Sequence, residues 1–269
     1  MLNSLRNLFR AQPERPVPAS AAVPAGERVY AIGDIHGRLD LFRDLVRAIE
    51  ADDAARGPAN TTFILLGDLI DRGPDSAGVV AAARDWSRRR RVRIIGGNHE
   101  EMLLLALEKE EFLRSFLRHG GRETVLSYPV TQEDYAAADW GELRALMAEA
   151  IPPDDLAFIR SFEQTILIGD YLFVHAGIMP DVPLDGQRPG DFRWIREPFL
   201  SHGGDHGFVV VHGHTITEDI VLRDNRIGID TGAFFSGRLT ALGLDGTARW
   251  LLETRDQDGT ITSHTRSVA

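Results

Sequence analysis

The stretch TTFILLGDLIDRGPDS, residues 61–76, joins an apolar run to a crowded set of charged side chains. The run Thr61–Leu66 predicts a buried strand, because it is short, apolar and rich in β-branched and aromatic residues. Directly after it come Asp68, Asp71 and Arg72. In open α/β sheets, ligands bind outside the carboxyl ends of the strands. The stretch therefore predicts a strand that delivers carboxylates and a guanidinium to a binding crevice.

The same arrangement recurs at four other predicted strand ends. Arg28–Ile32 runs into GDIHG, Val92–Ile95 runs into GGNHE, and in the second half YLFV is followed by HAG and FVVV by HGHT. The polar groups at the five ends are, in chain order, Asp34 and His36, Asp68 with Asp71 and Arg72, Asn98 and His99, His175, and His212 with His214. Turn chemistry, a helix N-cap or a hydrogen-bonded histidine explains each group alone. These separate explanations do not account for polar groups at all five strand ends in one chain. The set as a whole therefore predicts one shared site.

Helices and strands alternate in the first half of the chain. Amphipathic patterns predict helices over Leu39–Ala51 and Ser76–Ser87, which is typical of βαβ units around a sheet that helices cover on both faces. Residues 101–163 have a mostly helical pattern and predict an inserted cap. In the second half, TILI with YLFV, IVLR with RIGI, and LTALGL with ARWLLE predict hairpins. The predicted fold class is therefore α/β, with a sheet-rich second half.

Residues 1–26 differ from the rest of the chain. The first ten residues place Leu2, Leu5, Leu8 and Phe9 on one helical face, and residues 11–26 are rich in Pro and Ala. We expect an N-terminal segment and linker over 1–26 and one folded domain over 27–269 that contains the helical insertion.

Composition limits the functions that the chain can have. The chain has 269 residues, of which 43% are hydrophobic, with a formal net charge of −10 and no cysteine. The negative charge argues against nucleic acid as a partner, since non-specific affinity for phosphates depends on clustered Lys and Arg. The absence of cysteine excludes disulfides and thiolate metal sites. No run approaches the roughly 20 apolar residues of a membrane-spanning helix, so we expect no stable membrane insertion and a cytoplasmic location.

The polar residues at the strand ends form a donor set for a hard or borderline metal. Carboxylate, imidazole and amide oxygen, without thiolate, suit Mn²⁺, Fe or Zn²⁺. Two ions that share one carboxylate leave open positions for water and substrate, whereas six ligands around one ion leave none. The residues therefore favour a pair of cations and hydrolytic chemistry.

Together, GDIHG, GDLIDRG, GNHE, HAG and HGHT resemble the metallophosphoesterase signature in the form used by PPP-type serine/threonine protein phosphatases. The bacterial and phage members are the most similar. The resemblance implies a metallophosphoesterase-type β-sandwich of mixed sheets flanked by helices, with the helical cap as an insertion and residues 27–269 as the catalytic domain. The stretch GIDTGAFFSGRLTALGL departs from the eukaryotic members. The inhibitor and regulatory-subunit binding of those members is therefore not implied.

The resemblance also implies roles for individual residues. One cation would be held by Asp34, His36 and Asp68. The other would be held by Asp68, Asn98, His175 and His214, with Asp68 bridging the two. His99 would be the general acid, held by Asp71. Phosphate contacts would come from Arg72, Asn98 and Arg196.

The reaction implied by the resemblance is hydrolysis of phosphomonoesters by direct attack of a hydroxide that bridges two divalent cations. Mn²⁺ is the expected ion, with Fe and Zn²⁺ as other candidates. The expected partners are proteins or peptides that carry phosphoserine or phosphothreonine, with phosphotyrosine as a further substrate. The alternative is a symmetric diadenosine tetraphosphate hydrolase, because enzymes of that type are similar in the first motifs and in HAGI. A third interpretation, a scaffold that binds a phosphorylated partner without hydrolysis, fits the intact ligand set poorly.

Overall fold

The computed structural model describes residues 20–268. The predicted N-terminal helical face and most of the predicted linker lie outside this part of the chain. Ala21 and Val23, at the end of the predicted linker, are buried with the residues that fill the space between the sheets. The backbone N–H of Val23 donates to the carbonyl oxygen of Gly246 at 3.0 Å. The packed domain therefore begins before Glu27.

The strands of the described chain have these bounds: β1 Glu27–Ile32, β2 Asn60–Leu65, β3 Val92–Ile94, β4 Thr165–Ile168, β5 Tyr171–Val174, β6 Val209–His212, β7 Val221–Leu222, β8 Arg226–Gly228, β9 Arg238–Asp245, β10 Ala248–Gln257 and β11 Thr260–Val268. They form a six-stranded sheet in the order β11-β10-β9-β1-β2-β3 and a five-stranded sheet in the order β4-β5-β6-β8-β7. β1, β2 and β3 are parallel to one another, and so are β5, β6 and β8. The remaining pairings are antiparallel, so both sheets are mixed.

The helices have these bounds: α1 Leu39–Ala55, α2 Ser76–Arg89, α3 Asn98–Glu108, α4 Glu110–Phe116, α5 Arg122–Ser127, α6 Gln132–Ala137, α7 Trp140–Ala150, α8 Pro153–Arg160, α9 Pro189–Trp194 and α10 Ala233–Ser236. A π-helical turn, Leu117–Gly121, joins α4 to α5 and is kinked at Gly120, whose φ is +105°. Leu184–Gly186 is a short 3-10 turn. α3 to α8 occupy the region predicted as a helical cap. Among the described residues, the helices are too short or too polar for a bilayer crossing.

Side-chain alternation along β1 shows how the layers are built. Tyr30 and Ile32 pack against the apolar faces of α1 and α2, whereas Val29 and Ala31 face the second sheet. The other face of the second sheet, through Leu172 among others, packs against the region that contains α9. Two sheets therefore face each other with helices on their outer sides, which confirms the predicted α/β sandwich.

Candidate metal centre

Side chains from both sheets meet at the carboxyl ends of the parallel strands. β1, β2 and β3 lead into Asp34 and His36, Asp68, and Asn98, and β5 and β6 lead into His175 and His214. All six predicted ligands are buried. The carboxylate of Asp34 accepts a hydrogen bond from the backbone N–H of His214 at 3.0 Å, which joins the first sheet to the second. The structure therefore brings together the six side chains that the sequence motifs single out.

Asp68 lies between the histidines of the two sheets. Its Oδ2 atom is 3.6 Å from Nε2 of His36, 3.4 Å from Nε2 of His175 and 3.9 Å from Nε2 of His99. Its Oδ1 atom accepts the backbone N–H of His99 at 3.0 Å. Burial raises the pKa of Asp68, but His175 and His99 outweigh it and hold the pKa well below its usual value. One oxygen of Asp68 is thus directed at several imidazole nitrogens.

Backbone carbonyls fix the tautomers of two of these histidines. Nδ1 of His36 lies 2.8 Å from the carbonyl oxygen of Ile70, and Nδ1 of His175 lies 2.8 Å from that of Leu66. Since a carbonyl can only accept, each Nδ1 carries the proton. Each Nε2 then faces Asp68 and the space beside it, as the metal-facing nitrogen of a metal-binding histidine does.

Two groups of donor atoms meet the spacing that one metal ion requires. His36, Asp68 and His99 form one group and Asp68, His175 and His214 form the other, with all donor atoms of a group within 4.8 Å of one another. Asn98 adjoins the second group, because its Oδ1 lies 3.0 Å from Nε2 of His175. The two groups share Asp68.

Asp34, a predicted ligand, stands beside these groups rather than within them. Its Oδ1 atom is buried and has no hydrogen-bond partner among the described residues, and the same is true of Nε2 of His214. Burial, with Asp230 and Asp68 nearby, raises the pKa of Asp34 well above its usual value. Buried carboxylates that repel one another and lone pairs without a donor are both stabilised by a bound cation. The residues present therefore fit a metal centre.

The backbone at this site is held in an uncommon conformation. Seven non-glycine residues of the described chain have positive φ, and five of them belong to the site: His36, Asp68, Asp71, Arg72 and His214. Non-glycine residues in the left-handed region cost about 1–3 kcal/mol each and persist only where the surroundings hold them. Gly97 shows how closely the segments after β2 and β3 approach each other, since a Cβ there would lie 2.1 Å from Oδ1 of Asp68.

Asp71, His99 and Arg72 form a second polar cluster next to the donor groups. Oδ2 of Asp71 lies 2.6 Å from Nδ1 of His99, and both side chains are buried. Arg72 places Nη2 2.9 Å from Nε2 of His99 and Nη1 2.7 Å from Nε2 of His36. Burial lowers the pKa of His99 to about 4, and the charge of Arg72 also lowers it. Nε2 of His99 lies 3.9 Å from Oδ2 of Asp68, so it faces the same space as the donor atoms of the two groups.

Arg196 and His212 lie at the margin of the site. Nη2 of Arg196 is 3.5 Å from the carbonyl oxygen of His214, and the Arg196 side chain is exposed. His212 belongs to neither donor group. Its ring packs edge-on against Phe199 with centroids 5.1 Å apart, and its Nδ1 lies 3.1 Å from the carbonyl oxygen of Gly213. His212 is therefore placed as a structural histidine, as its motif alone also allows.

Glu100 is a site residue that the sequence interpretation missed. Its buried carboxylate accepts the backbone N–H groups of Asp68 at 3.0 Å, Leu69 at 2.7 Å and Gly97 at 2.9 Å. Burial raises its pKa to about 7, and Asp68 adds to the shift. Glu100 thus ties the loop after β2 to the start of α3. The GGNHE stretch carries a usable signal, because a Glu at the third helical position is typical of a capping box.

The helical insertion supplies two more supports that the motifs do not reveal. The Oγ1 atom of Thr124 accepts the backbone N–H of Asp71 at 2.8 Å and donates to Oδ1 of the same carboxylate. The carbonyl oxygen of Gly120, in the π-helical turn, accepts the backbone N–H of Arg72 at 3.0 Å. Gly120 has φ +105°, and a Cβ there would lie 2.6 Å from Cγ of Arg72. The insertion therefore holds Asp71 and Arg72 in place.

Asp230 is a further buried acid at a strand end. It follows β8, its Oδ1 accepts the backbone N–H of Gly232 at 2.9 Å, and its Oδ2 is buried without a hydrogen-bond partner among the described residues. Burial raises its pKa to about 6, and the charge of Asp68 adds to the shift. The signal in the sequence is GIDTG, which follows a predicted strand as the other motifs do.

Comparison with known proteins gives a family match over most of the chain. The sequence profile of the calcineurin-like phosphoesterases matches residues 27–265. Serine/threonine-protein phosphatase 1 of Salmonella typhimurium is 29% identical over 221 residues, which cover 79% of this chain and 89% of that protein. The symmetrical bis(5'-nucleosyl)-tetraphosphatase of Nitrosospira multiformis is 23% identical over 288 residues, which cover 88% of this chain and 98% of that protein. A crystal structure provisionally described as a diadenosine tetraphosphatase has a TM-score of 0.60 at 23% identity and covers 91% of this chain and 98% of that one. At 23% identity, this structural similarity shows a shared fold.

Proposed function

The chain belongs to the calcineurin-like phosphoesterase family, and from that membership we propose that it hydrolyses phosphate monoesters on protein substrates with the help of two divalent cations. The observation that carries the proposal is the position of Asp68. Its Oδ2 atom lies 3.6 Å from Nε2 of His36 and 3.4 Å from Nε2 of His175, which come from different sheets. A carboxylate in this position suits the shared ligand of a two-metal site, a recurrent arrangement in phosphoester hydrolysis.

The proposed ligands are the side chains identified from the motifs. Asp34, His36 and Asp68 hold the first cation, and Asp68, Asn98, His175 and His214 hold the second. These carboxylate, imidazole and amide donors support Mn²⁺, with Fe and Zn²⁺ as other candidates. When bound, two such cations supply the charge that activates water and offsets the negative phosphoryl oxygens.

Arg72 is the main proposed phosphate ligand of the chain itself. Its two terminal nitrogens already face the cleft, since each lies within 3 Å of a histidine Nε2 there. The planar guanidinium can donate to two phosphate oxygens at once, which fixes the orientation of the ester as well as binding it. Arg196 extends from the side of the second sheet, and the Asn98 amide adds a further polar contact. The phosphate would thus be held from several directions.

His99 is the proposed general acid, and Asp71 orients it. The proton on Nδ1 is shared with the Asp71 carboxylate at 2.6 Å, which leaves Nε2 to donate to the leaving oxygen. Burial lowers the pKa of His99 to about 4, with Arg72 adding to the shift. A phosphate dianion beside Arg72 offsets that positive charge, so substrate binding favours the protonated imidazole that the reaction needs.

A second candidate function is symmetric hydrolysis of dinucleoside tetraphosphates. The relative from Nitrosospira multiformis that bears this name aligns with 88% of the chain. The same donor groups would serve both reactions, because each requires attack on a phosphorus atom held among cations. Both Asp71 and Arg72 are present next to His99, and this pair supports phosphoproteins over dinucleoside tetraphosphates as the first proposed substrates.

The test is a substrate panel with metal-loaded protein. Matched peptides with phosphoserine, phosphothreonine and phosphotyrosine are assayed for phosphate release, and diadenosine tetraphosphate is assayed for ADP, each with Mn²⁺, Fe²⁺ or Zn²⁺. We expect the highest kcat/KM on a phosphopeptide with Mn²⁺ and its loss after chelation. A higher kcat/KM on the dinucleotide would favour the second candidate, and no turnover on any ester would favour a binding scaffold.

Asp68→Asn provides the matching test of the metal centre. The substitution keeps the size of the side chain but removes its charge. We therefore expect the metal content to fall below two ions per chain. Elemental analysis after gel filtration measures this independently of activity. Retention of two ions would contradict the bridging role of Asp68.

A further inference from the structure

Exposed large apolar side chains are concentrated beside the candidate metal centre. Trp194, Ile216 and Phe235, which we term the apolar rim, have relative exposures of 40%, 36% and 65%. Trp140 and Leu167 are the other large apolar residues with comparable exposure in residues 20–268. Clustered apolar exposure next to a cleft is typical of a binding surface.

The members of the apolar rim flank the two donor groups. The Trp194 ring lies 6.5 Å, between centroids, from the ring of His214, on the side of the second group. Ile216 follows His214 by two residues, and a Cβ on Gly232 would lie 2.9 Å from Cγ2 of Ile216 and 2.3 Å from Cε1 of Phe235. Ile216 and Phe235 are therefore neighbours across Gly232, whose φ of +69° and lack of a side chain make room for both.

Phe234 links the apolar rim to the phosphate-binding arginine. Its ring lies 5.3 Å from that of Phe235 and 5.4 Å from that of His36. The guanidinium of Arg72 stands over the Phe234 ring at 4.9 Å. An ester bound at Arg72 would therefore have its organic group next to the aromatic residues of α10.

Trp194 is held in place rather than left free to rotate. Glu101, one residue after the GGNHE motif, accepts a hydrogen bond from Nε1 of Trp194 and from Nε and Nη2 of Arg193. The indole therefore keeps a fixed orientation at the cleft while 40% of its surface stays exposed. A preorganised aromatic surface loses little conformational entropy when a ligand covers it.

We propose that the apolar rim binds a planar aromatic ring of the phosphoester substrate while Arg72 holds the phosphate. The inference rests on the proposed function, because it concerns the organic group of the same ester. Two sources supply this chemistry, the phenol ring of phosphotyrosine and the base of a nucleotide. Stacking against the fixed indole of Trp194 and the exposed phenyl ring of Phe235 favours such groups over the short aliphatic carbon of phosphoserine.

The kinetic test compares matched substrates in rim variants of the full chain. The variants are Trp194→Ala, Trp194→Phe and Phe235→Ala, and the matched controls are Trp140→Ala and Leu167→Ala, which remove exposed apolar side chains elsewhere. Two ratios of kcat/KM are measured. The first compares a phosphotyrosine peptide with the same peptide carrying phosphoserine, and the second compares diadenosine tetraphosphate with inorganic tetraphosphate. We expect the two alanine rim variants to lower at least one ratio about tenfold through KM, Trp194→Phe to restore most of it, and both controls to match wild type. The ratio that falls identifies the source of the ring, and unchanged ratios overturn the proposal.

A binding measurement separates failure of the apolar rim from failure of the proposed function. Phenylphosphonate and methylphosphonate are titrated calorimetrically into metal-loaded protein, since neither can be hydrolysed. We expect phenylphosphonate to bind about tenfold more tightly to wild type, and Phe235→Ala to remove most of the difference. Equal affinities in wild type would overturn the inference even if phosphopeptides are hydrolysed. A preference for phenylphosphonate in wild type that Phe235→Ala removes would uphold the apolar rim even if no phosphopeptide is turned over.

Discussion

The chemistry of His99 depends on three side chains from another segment of the chain, the GDLIDRG motif. Asp71 contacts its Nδ1, Arg72 contacts its Nε2, and Asp68 accepts its backbone N–H. Its motif, GGNHE, contains neither of the aspartates and not the arginine. A residue of this kind is best tested by a change that spares the metal ligands.

The His99 imidazole belongs to one donor group by distance, but it is held by Asp71 and Arg72 and is not one of the proposed ligands. His99→Ala should therefore retain both metal ions and lose activity unevenly among substrates. A placed general acid contributes roughly 10²- to 10⁴-fold, and most for a poor leaving group. We therefore expect a large fall in kcat for phosphoserine peptides and a much smaller one for p-nitrophenyl phosphate. Metal content by elemental analysis is measured in parallel, with His264→Ala on β11 as the control. Equal losses on the two substrates would argue against proton donation by His99.

His206 gives a pH-dependent prediction away from the metal centre. Burial lowers the pKa of His206 below its usual 6.5, and His202 and Arg226 add to the shift. Because the folded chain binds this proton less tightly than the unfolded chain, the stabilising contribution is present above the usual pKa and is lost as pH falls through 6.5 toward the lowered value. His206→Gln should therefore reduce the loss of unfolding free energy between pH 7.5 and 5.5, as measured by urea denaturation. The same loss in variant and wild type would refute this assignment.

The helical insertion supports the site as well as forming a wall beside it. Thr124 in α5 holds both the backbone and the carboxylate of Asp71, and Gly120 in the π-helical turn accepts the N–H of Arg72. The insertion is therefore coupled by direct hydrogen bonds to Asp71 and Arg72, which have proposed roles in proton donation and phosphate binding.

Thr124→Val tests this coupling with almost no change in volume. The substitution leaves the Asp71 carboxylate with one partner fewer, so we expect unfolding free energy to fall by about 1–3 kcal/mol. The pH profile of kcat should also shift, because Asp71 orients His99. Thr124→Ser keeps the hydroxyl and should restore the pH profile. If Thr124→Val only lowered stability, Thr124 would have a structural role alone.

The elements were predictable to different degrees from the sequence. β1, β2 and β3 are short apolar runs with polar groups directly after them, and they lie close to the predicted bounds. β11, with the sequence TITSHTRSV, is missed because it is an edge strand whose side chains are mostly exposed and polar. Thr124 carries no motif, since its role exists only through a contact 53 residues away in the chain. Local patterns reveal buried strands and their ends, whereas supporting contacts depend on packing.

At the scale of the molecule, the candidate centre belongs to both sheets. Asp68 follows a strand of the first sheet and His175 and His214 follow strands of the second. Buried acids accumulate where the sheets meet, and burial together with mutual repulsion raises the pKa of Asp34. A bound cation would offset this repulsion, so metal binding and the packing of the two sheets should stabilise each other.

Chelation should therefore lower the melting temperature. A ligand at about 100 times its Kd stabilises the folded state by about 2.7 kcal/mol, and for a chain of this size that corresponds to a shift on the order of 5–10 °C. Differential scanning calorimetry with Mn²⁺ and with EDTA measures the shift. Asp68→Asn should abolish most of it, whereas Asp185→Asn, at an exposed acid, should retain it. A shift of equal size in Asp68→Asn would show that the ions stabilise the chain elsewhere.

The order of strands in the first sheet also has a consequence for biosynthesis. β1 pairs with β2 on one side and with β9 on the other, and Arg28 and Asp245, which face each other across the second pairing, are 217 residues apart. At a translation rate of about 5–20 residues per second, one edge of β1 waits about 10–40 s on the ribosome before its partner is made. The exposed backbone of that nascent strand is a natural target for chaperones, so expression with added chaperone should increase the yield of intact protein.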